Sequence, residues 1–236
     1  MNTIKGSGSI AMRDQEVSSF IHLHVAINAK ENGQPVLIEL YQSDVEKVVF
    51  ETDDNLGRFF SAVNLGRTLF IASDAGYRNI DFTLLKIRVY LRQVDKLQIC
   101  CDNYRLTTGN PITSPLPLEL KIQGTGTADL HLEIPVLKAL FQVEGNTTLR
   151  GNCEEAQLRT QSVGNLLAKA FVTQKLKLKN MSEGNVEVYA DKSISILHAG
   201  EGNVYYYGNA RLTDVNQRGE GFIQHKQNSD PETLKI

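Results

Sequence analysis

The chain has 236 residues, of which 41% are hydrophobic and 22% are charged, and its formal net charge is −2. This composition excludes wholesale disorder and gives no reason to expect a nucleic-acid partner. No run of 18 apolar residues predicts a transmembrane helix, and residues 1–12 hold no apolar core of a secretory signal peptide.

The first half of the chain, residues 1–115, predicts short strands at irregular intervals. Apolar residues alternate with His22 and His24 between residues 21 and 27, and this period of two is typical of a strand with one buried face. Turn-forming sequences such as Thr108-Gly109-Asn110-Pro111 interrupt the pattern. The proline-rich residues 111–117 are either a linker or a loop that leaves one coil, since strand patterns continue on both sides. Further strands are predicted at residues 36–40, 47–51, 69–71, 86–92 and 97–99.

Two histidines in this half share one face of a predicted strand. His22 and His24 lie two residues apart, so their side chains point the same way. Such a pair can bind a metal ion, but the sequence offers no evident third ligand. The alternative is a face turned to solvent or to a partner, and we assign no metal ligands.

The chain contains three cysteines, which is not the even number of a disulfide framework. Cys100 and Cys101 are neighbours on a predicted strand and point to opposite faces, so they cannot both face Cys153. We expect buried free thiols, with a single bridge from Cys153 to one of the pair as the alternative. No cysteine or histidine spacing typical of zinc sites is present.

A recurring glycine organises the second half, residues 116–225. It returns after 19, 19, 20, 18 and 19 residues, with an apolar strand before it and another after it. A meander of hairpins has no reason to keep this spacing, whereas a parallel solenoid must stack each coil on the last at about 4.8 Å. We therefore predict a β-solenoid with about 19 residues per turn. The glycines are Gly126, Gly145, Gly164, Gly184, Gly202 and Gly221.

The glycine and the asparagine that often follows it predict a corner between strands. Glycine there is expected to adopt a positive φ. The asparagines can hydrogen-bond along the axis as a ladder, or they can serve only as turn formers. Asn146-Thr-Thr148 and Asn180-Met-Ser182 are also formal glycosylation sequons. The four asparagines that share the repeat position are Asn146, Asn165, Asn185 and Asn203.

A glutamate precedes the repeat glycine in four coils. Stacking would place Glu183, Glu201 and Glu220 in a column on consecutive turns, with Glu144 further along it. We interpret the column as an exposed corner with screened repulsion. A shared calcium ion is the alternative, although the RTX-type calcium repeat is absent.

Two other groups of residues are candidates for binding or catalysis. Tyr205-Tyr206-Tyr207 must turn at least one ring outward on a strand, where it either packs the last coil or stacks on a ligand. A polysaccharide-cleaving enzyme would need clustered acids in a groove. The candidate acids share no common repeat position; they are Asp129, Glu154, Glu155, Glu187 and Asp191.

Several of these sequences are similar to a known family. Lys5-Gly-Ser-Gly-Ser-Ile10, Glu16-Val-Ser-Ser-Phe20 and the stretch from His22 to Ala29 resemble its N-terminal signature. The Gly-x-Gly turns at 124/126, 200/202 and 219/221 resemble its C-terminal half. Over about residues 4–224 the chain resembles the putative auto-transporter adhesin head domain, or GIN domain, of Bacteroidetes envelope proteins. It departs from the pattern where Val143, Ser162 and Ser182 replace the first glycine.

The resemblance implies a right-handed parallel β-helix and export to the cell envelope or beyond, and it brings no catalytic residues. We expect one all-β solenoid domain at 1–225, less regular over 1–115 and regular over 116–225, with a polar tail at 226–236. We expect a non-enzymatic adhesin or surface-binding module with a glycan or protein ligand, no cofactor and no catalytic residue. A polysaccharide-active enzyme and a purely structural envelope module are the alternatives. Open sheet edges also predict self-association.

Overall fold

The computed structural model of the chain describes residues 3–28, 33–74 and 80–227. Almost every element within these ranges is a β-strand, and the strands pair into stacked coils. The predicted all-β parallel solenoid is confirmed, with about six turns of about 20 residues. None of the described segments is a helix with the length and hydropathy that crossing a membrane requires.

The strands fall into an N-terminal and a C-terminal group. The N-terminal strands are β1 (Ile4–Lys5), β2 (Ile10–Glu16), β3 (His22–Ala26), β4 (Val36–Gln42), β5 (Lys47–Asp53), β6 (Phe60–Leu65), β7 (Thr68–Ser73), β8 (Ile80–Asp81), β9 (Leu85–Leu91), β10 (Lys96–Cys100), β11 (Tyr104–Thr108) and β12 (Ile112–Thr113), with a short 3-10 turn at Gly57–Phe59. The C-terminal strands are β13 (Leu118–Gly124), β14 (Gly126–Val143), β15 (Thr147–Thr160), β16 (Leu166–Asn180), β17 (Val186–His198), β18 (Val204–Tyr207), β19 (Arg211–Gln217) and β20 (Ile223–His225).

Two long sheets run along the stack. The front sheet contains, in spatial order, β6, β7, β3, β10, β13, the C-terminal parts of β14 to β17, and β19. The back sheet contains β2, β5, β9, β4, β11, the N-terminal parts of β14 to β17, β18 and β20. Strands β14 to β17 are long because each bends around the coil and contributes to both sheets.

Apolar side chains stack in columns inside the coils. Leu120, Ala139, Leu158, Leu178 and Ile196 occupy one register position on successive strands of the front sheet, and each is buried. The alternation that the sequence shows therefore places every second residue in the core and leaves the residues between them on the outer surface. Burial of each leucine or isoleucine contributes about 1.5–3 kcal/mol to the free energy of unfolding.

The repeat glycines are required by close stacking and not by a positive φ. The expectation of a positive φ is wrong for all six of them, because positive φ occurs at other glycines, such as Gly124 and Gly151. A Cβ placed on Gly145, Gly164 or Gly184 would instead overlap the carbonyl oxygen of the repeat glycine one coil earlier. The backbones thus approach too closely at this corner for any side chain.

The N-terminal coils depart from the simple parallel stack. Strands β2 and β5, β5 and β9, and β6 and β7 pair antiparallel, whereas every pairing of β13 to β20 is parallel. The coil of β3 and β4 lies between the coil of β7 and β9 and the coil of β10 and β11. The first full coil in sequence is therefore inserted between two later ones.

A buried carboxylate fixes the N-terminal end of the stack. Asp53, at the end of β5, is 0% exposed and accepts hydrogen bonds from the backbone N–H of Gly8 at 2.7 Å and of Thr83 at 2.8 Å. Burial acts to raise the pKa of Asp53, but these hydrogen bonds and others from Thr83 and Leu84 outweigh it and hold the pKa below its ordinary value. Asp53 therefore connects the segment before β2 to the segment before β9.

The C-terminal end of the stack leaves strand edges open. Among the described residues, β19 pairs only with β17, and β20 pairs only with β18. Leu212, Val215 and Phe222 are at least 40% exposed at this end. Self-association through such an edge stays a prediction. The division into a solenoid domain at 1–225 and a polar tail at 226–236 also stays a prediction. Most of the expected tail, residues 228–236, lies outside the described ranges.

Candidate functional site on the front sheet

Five cations lie on the outer surface of the front sheet. Alternation along β13 to β16 turns them outward while their sequence neighbours fill the core. In one row of paired residues, Lys121, Leu140, Arg159 and Lys179 follow one another on successive strands. In the parallel row the order is Glu119, Lys138, Gln157 and Lys177. We call the five the cationic face: Lys121, Lys138, Arg159, Lys177 and Lys179.

The cationic face borders a shallow groove of about 510 Å³. Gln157, Ser195 and the half-buried Leu140 and Leu197 also line this groove, and Asp214 lies at its C-terminal end. The groove crosses the strands and therefore runs parallel to the solenoid axis. Its lining provides a ligand with cationic side chains, hydrogen-bonding groups and a small apolar surface.

Positive charge is in excess on the cationic face, where five cations and two carboxylates line the groove. Within the described ranges none of the five cations forms an ion pair, whereas the nearby Lys96 lies 3.6 Å from Glu119, and Lys175 lies 2.6 Å from Glu155. Arg159 and Lys179 are direct neighbours on adjacent strands, where like charges destabilise a sheet. An anionic ligand would remove this repulsion.

A row of glutamines that the sequence analysis missed flanks the cationic face. Gln123 Nε2 donates to Gln142 Oε1 at 2.6 Å, and Gln142 Nε2 donates to Gln161 Oε1 at 3.2 Å. The signal was available, since the three glutamines recur at intervals of 19 residues. The amide row fixes the spacing of the coils along one side of the groove.

The asparagine ladder is present at a partly exposed corner of the stack. Its hydrogen bonds run mainly from backbone N–H groups to asparagine side-chain oxygens. The backbone N–H of Asn165, Asn185 and Asn203 donates to the side-chain oxygen of the preceding asparagine at 3.0, 2.8 and 2.9 Å. Only Asn165 also donates through its amide Nδ2, at 3.1 Å from Asn146 Oδ1. The ladder is therefore a capping device at a solvent-accessible corner.

Replacing Asn165 and Asn185 by alanine is expected to lower the free energy of unfolding by about 1–2 kcal/mol, because each lost hydrogen bond at an accessible site is partly replaced by water. Urea denaturation of the double variant measures the loss. Asn209→Ala, at an exposed asparagine outside the ladder, is the control and should change little. Wild-type stability in the double variant would show that the ladder contributes nothing.

The glutamate column is exposed. Glu144, Glu183, Glu201 and Glu220 all lie at the surface of the corner, and Val163 interrupts the column between the first two. Among the residues that the structure describes, no three His, Cys, Asp or Glu side chains are arranged to hold a metal ion. The calcium alternative gains no support from this geometry.

The second sequon is buried inside the stack. Asn180 is 0% exposed, and its Oδ1 accepts from the backbone N–H of Ser182 at 3.0 Å. Its amide lies 3.1 Å from Nδ1 of the buried His198, whose Nε2 lies 3.0 Å from the carbonyl oxygen of Gly221. Asn180 donates to Nδ1, so Nε2 carries the proton that is donated to Gly221. This chain of bonds is structural, and the folded protein cannot be glycosylated at Asn180.

Both N-terminal histidines, His22 and His24, contact neighbouring side chains. His22 lies 3.2 Å from Asp95 and 3.3 Å from Thr68, and the ring of His24 packs against Phe70 with centroids 5.3 Å apart. Burial and the charge of Lys121 lower the pKa of His24, so its ring is neutral at pH 7. The pair lies beside the cationic face and takes part in packing.

The three tyrosines pack the last coil. Tyr205 meets Phe222 edge-on with centroids 5.6 Å apart, and Lys226 Nζ lies 3.7 Å from the Tyr205 ring centroid. Tyr206 stacks on His225 at 4.8 Å, and Tyr207 is buried. Each ring thus packs at the end of the stack, with neighbouring rings on opposite faces of β18.

All three cysteines are free thiols. Cys101 and Cys153 are buried, and burial raises the pKa of Cys101 to about 12 and that of Cys153 to about 11. The prediction of free thiols is confirmed, although Cys100 is only half-buried. At neutral pH the two buried thiols are protonated and unreactive.

The acids proposed for an enzyme do not converge. Asp129 and Glu187 share an outward row of the back sheet but lie three strands apart, which is about 14 Å at the usual strand spacing. Glycosidase carboxylates lie at most about 9.5 Å apart. Asp129 is paired with Arg150, Glu155 with Lys175, and Asp191 with the hydroxyl of Tyr189. Glu154 is exposed and lines a cleft beside Cys153.

Comparison with solved structures finds several proteins with this fold. A putative adhesin from Bacteroides fragilis superposes with a TM-score of 0.83 at 21% identity, covering 94% of this chain and 100% of that one. A putative lipid binding protein from Parabacteroides distasonis gives 0.63 at 16% identity, with 94% and 100% covered. A putative adhesin from the same species gives 0.62 at 18% identity, with 95% and 100% covered. At these identities the likeness concerns the fold alone.

No curated protein matches the sequence. A family described as putative auto-transporter adhesin, head GIN domain, matches residues 31–210, which is most of the chain. The match agrees with the repeat, the parallel coils and the structural relatives. The chain belongs to this GIN-domain family.

Proposed function

We propose that this chain is a non-enzymatic binding module of the bacterial cell envelope that acts in adhesion by holding a surface glycan. The observation that carries the proposal is the groove on the front sheet, where the lining cations outnumber the lining carboxylates and form no ion pair among the described residues. A parallel sheet stacked on a close-packed core is rigid, so the backbone positions from which these side chains project are fixed before a ligand arrives. The family and the Bacteroidetes relatives described as adhesins support the envelope location.

The alternatives have less support. A polysaccharide-cleaving enzyme has less support because Asp129 and Glu187, which share an outward row, lie about 14 Å apart, and Glu155 forms an ion pair. A purely structural envelope module would have no use for adjacent unpaired cations, since they lower the stability of the sheet.

A thermal-shift screen of the purified chain against host and bacterial glycans tests the proposal. We expect at least one glycan to raise the melting temperature, because a ligand that binds only the folded state stabilises it by mass action. The shift should persist in chelator, and the glycan recovered afterwards should keep its chain length. Shortened glycans would overturn the proposal in favour of an enzyme. No shift with any glycan would overturn it in favour of a structural module.

A further inference from the structure

We propose that the cationic face binds a linear acidic polysaccharide that lies in the groove parallel to the solenoid axis. This inference rests on the proposed function and specifies its ligand. The occupant is argued from charge complementarity, since five cations line the groove, none of them forms an ion pair among the described residues, and the two carboxylates of the lining, Glu119 and Asp214, lie at its ends.

The extent of the cationic face favours a polymer over a small ion. The five cations belong to four consecutive strands, β13 to β16, and so extend over about 14 Å along the axis. A single phosphate or sulfate ion could contact only one or two of them. An extended chain of anionic groups can contact all five.

The order of side chains indicates which polymer fits. In one row Gln157 separates Lys138 from Lys177, and in the other Leu140 separates Lys121 from Arg159. Within each of these pairs the two cations lie about 10 Å apart, but Lys179 directly follows Arg159. Each strand from β13 to β16 therefore contributes at least one cation, at steps of about 4.8 Å. A polysaccharide with an anionic group on every sugar matches this spacing. The side chain of Gln157 has no partner among the described residues and is available to a sugar hydroxyl.

The groove is less suited to an anionic membrane. Proteins that bind membrane surfaces combine cations with large apolar side chains that enter the lipid. The large apolar residues of this chain that are strongly exposed include Met12, Leu65 and Phe222, and none of those in the described ranges lines the groove. Leu140 and Leu197, which do line it, are only half exposed.

Binding to chondroitin sulfate, in which one sugar of each disaccharide carries a carboxylate and the other a sulfate, tests the inference through Arg159→Glu combined with Lys177→Glu. Both side chains are exposed, so the double variant is expected to keep the wild-type melting temperature. We expect the Kd to rise about a hundredfold, since each lost contact to an anion is worth about tenfold. The variant Arg159→Lys with Lys177→Arg should bind within about threefold of wild type.

A matched control distinguishes binding at the cationic face from nonspecific electrostatic attraction to the whole protein. Arg105→Glu with Lys192→Glu changes the net charge equally, at exposed cations elsewhere that have no ion pair among the described residues. It should leave the Kd within about twofold. An equal loss of affinity for chondroitin sulfate in both double variants would overturn the proposed binding site.

Further outcomes distinguish this inference from the proposed function. Binding to vesicles of phosphatidylcholine and phosphatidylserine without binding to chondroitin sulfate would overturn it in favour of a lipid surface. Binding of a neutral dextran or mannan that Arg159→Glu with Lys177→Glu leaves unchanged would overturn it and preserve the adhesive function. If the wild type bound no glycan at all, both would fail.

Discussion

Gly184→Ala is expected to lower the free energy of unfolding by about 3 kcal/mol or more and the melting temperature by about 10 °C. The new Cβ would overlap the carbonyl groups of Gly164 and Val163 in the coil below, which are backbone atoms in the middle of the stack. No side chain can rotate to relieve this contact, so the coils must separate or shift. Chemical denaturation and calorimetry of the purified variant measure the loss.

Gly57→Ala is the matched control for this prediction. Gly57 lies in the 3-10 turn and does not require a positive φ, and beyond its chain neighbours no atom lies within 4 Å of the place where an alanine methyl group would be. Its substitution should leave stability unchanged within about 0.5 kcal/mol. A Gly184→Ala variant as stable as Gly57→Ala would contradict the conclusion that the backbones of successive coils approach closely at this corner.

Asp53→Asn is expected to destabilise the protein at neutral pH by about 2–4 kcal/mol. The carboxylate accepts backbone hydrogen bonds from Gly8 and Thr83 in a buried position, whereas an amide would replace one accepting oxygen by an NH2 group that faces a backbone N–H donor. Asp44→Asn is the control, because Asp44 is exposed and its side chain has no partner among the described residues. Urea denaturation of both variants at pH 7 gives the comparison.

The loss at Asp53 should also depend on pH. Its pKa in the folded state lies below the ordinary value of 3.8, so its ionised form stabilises the fold above that value and the contribution is lost as the pH falls through the folded pKa. The difference in unfolding free energy between wild type and Asp53→Asn should therefore be constant from pH 5 to pH 7 and shrink below about pH 4. A difference that grew in acid would contradict the assignment.

The glycine spacing predicts the stacked coils correctly because each coil must return to the same corner after a nearly constant length of chain. It does not predict why glycine is needed there. The distance between two backbones, such as those at Gly164 and Gly184, is a property of the stack and not of either local sequence. A local rule about positive φ therefore assigned the wrong reason to the right residues.

The N-terminal coils could not be predicted to the same depth. Alternation locates strands such as those around Leu23 and Val89, but it carries no information about which strands pair. The insertion of the coil of β3 and β4 between later coils depends on contacts between residues about 45 positions apart, such as His22 with Thr68. No repeat marks those pairings in the sequence.

The cationic face could be predicted in part from the sequence. Once the coils are aligned, alternation shows that Lys121, Lys138 and Arg159 point outward, and their repeat positions can be read directly. Their lack of ionic partners cannot be read in this way, since it depends on which side chains of neighbouring coils meet. The sequence analysis considered the acidic column and overlooked the cations for this reason.

The most direct test of the binding surface is a lysine-selective NMR titration of the reductively methylated chain with chondroitin sulfate. Methylation preserves the positive charge, so the electrostatics of the face are retained. We predict shifts at Lys121, Lys138, Lys177 and Lys179 and none at Lys192 or Lys86, which lie elsewhere on the solenoid. Shifts spread over all lysines, or confined to those outside the groove, would contradict the account.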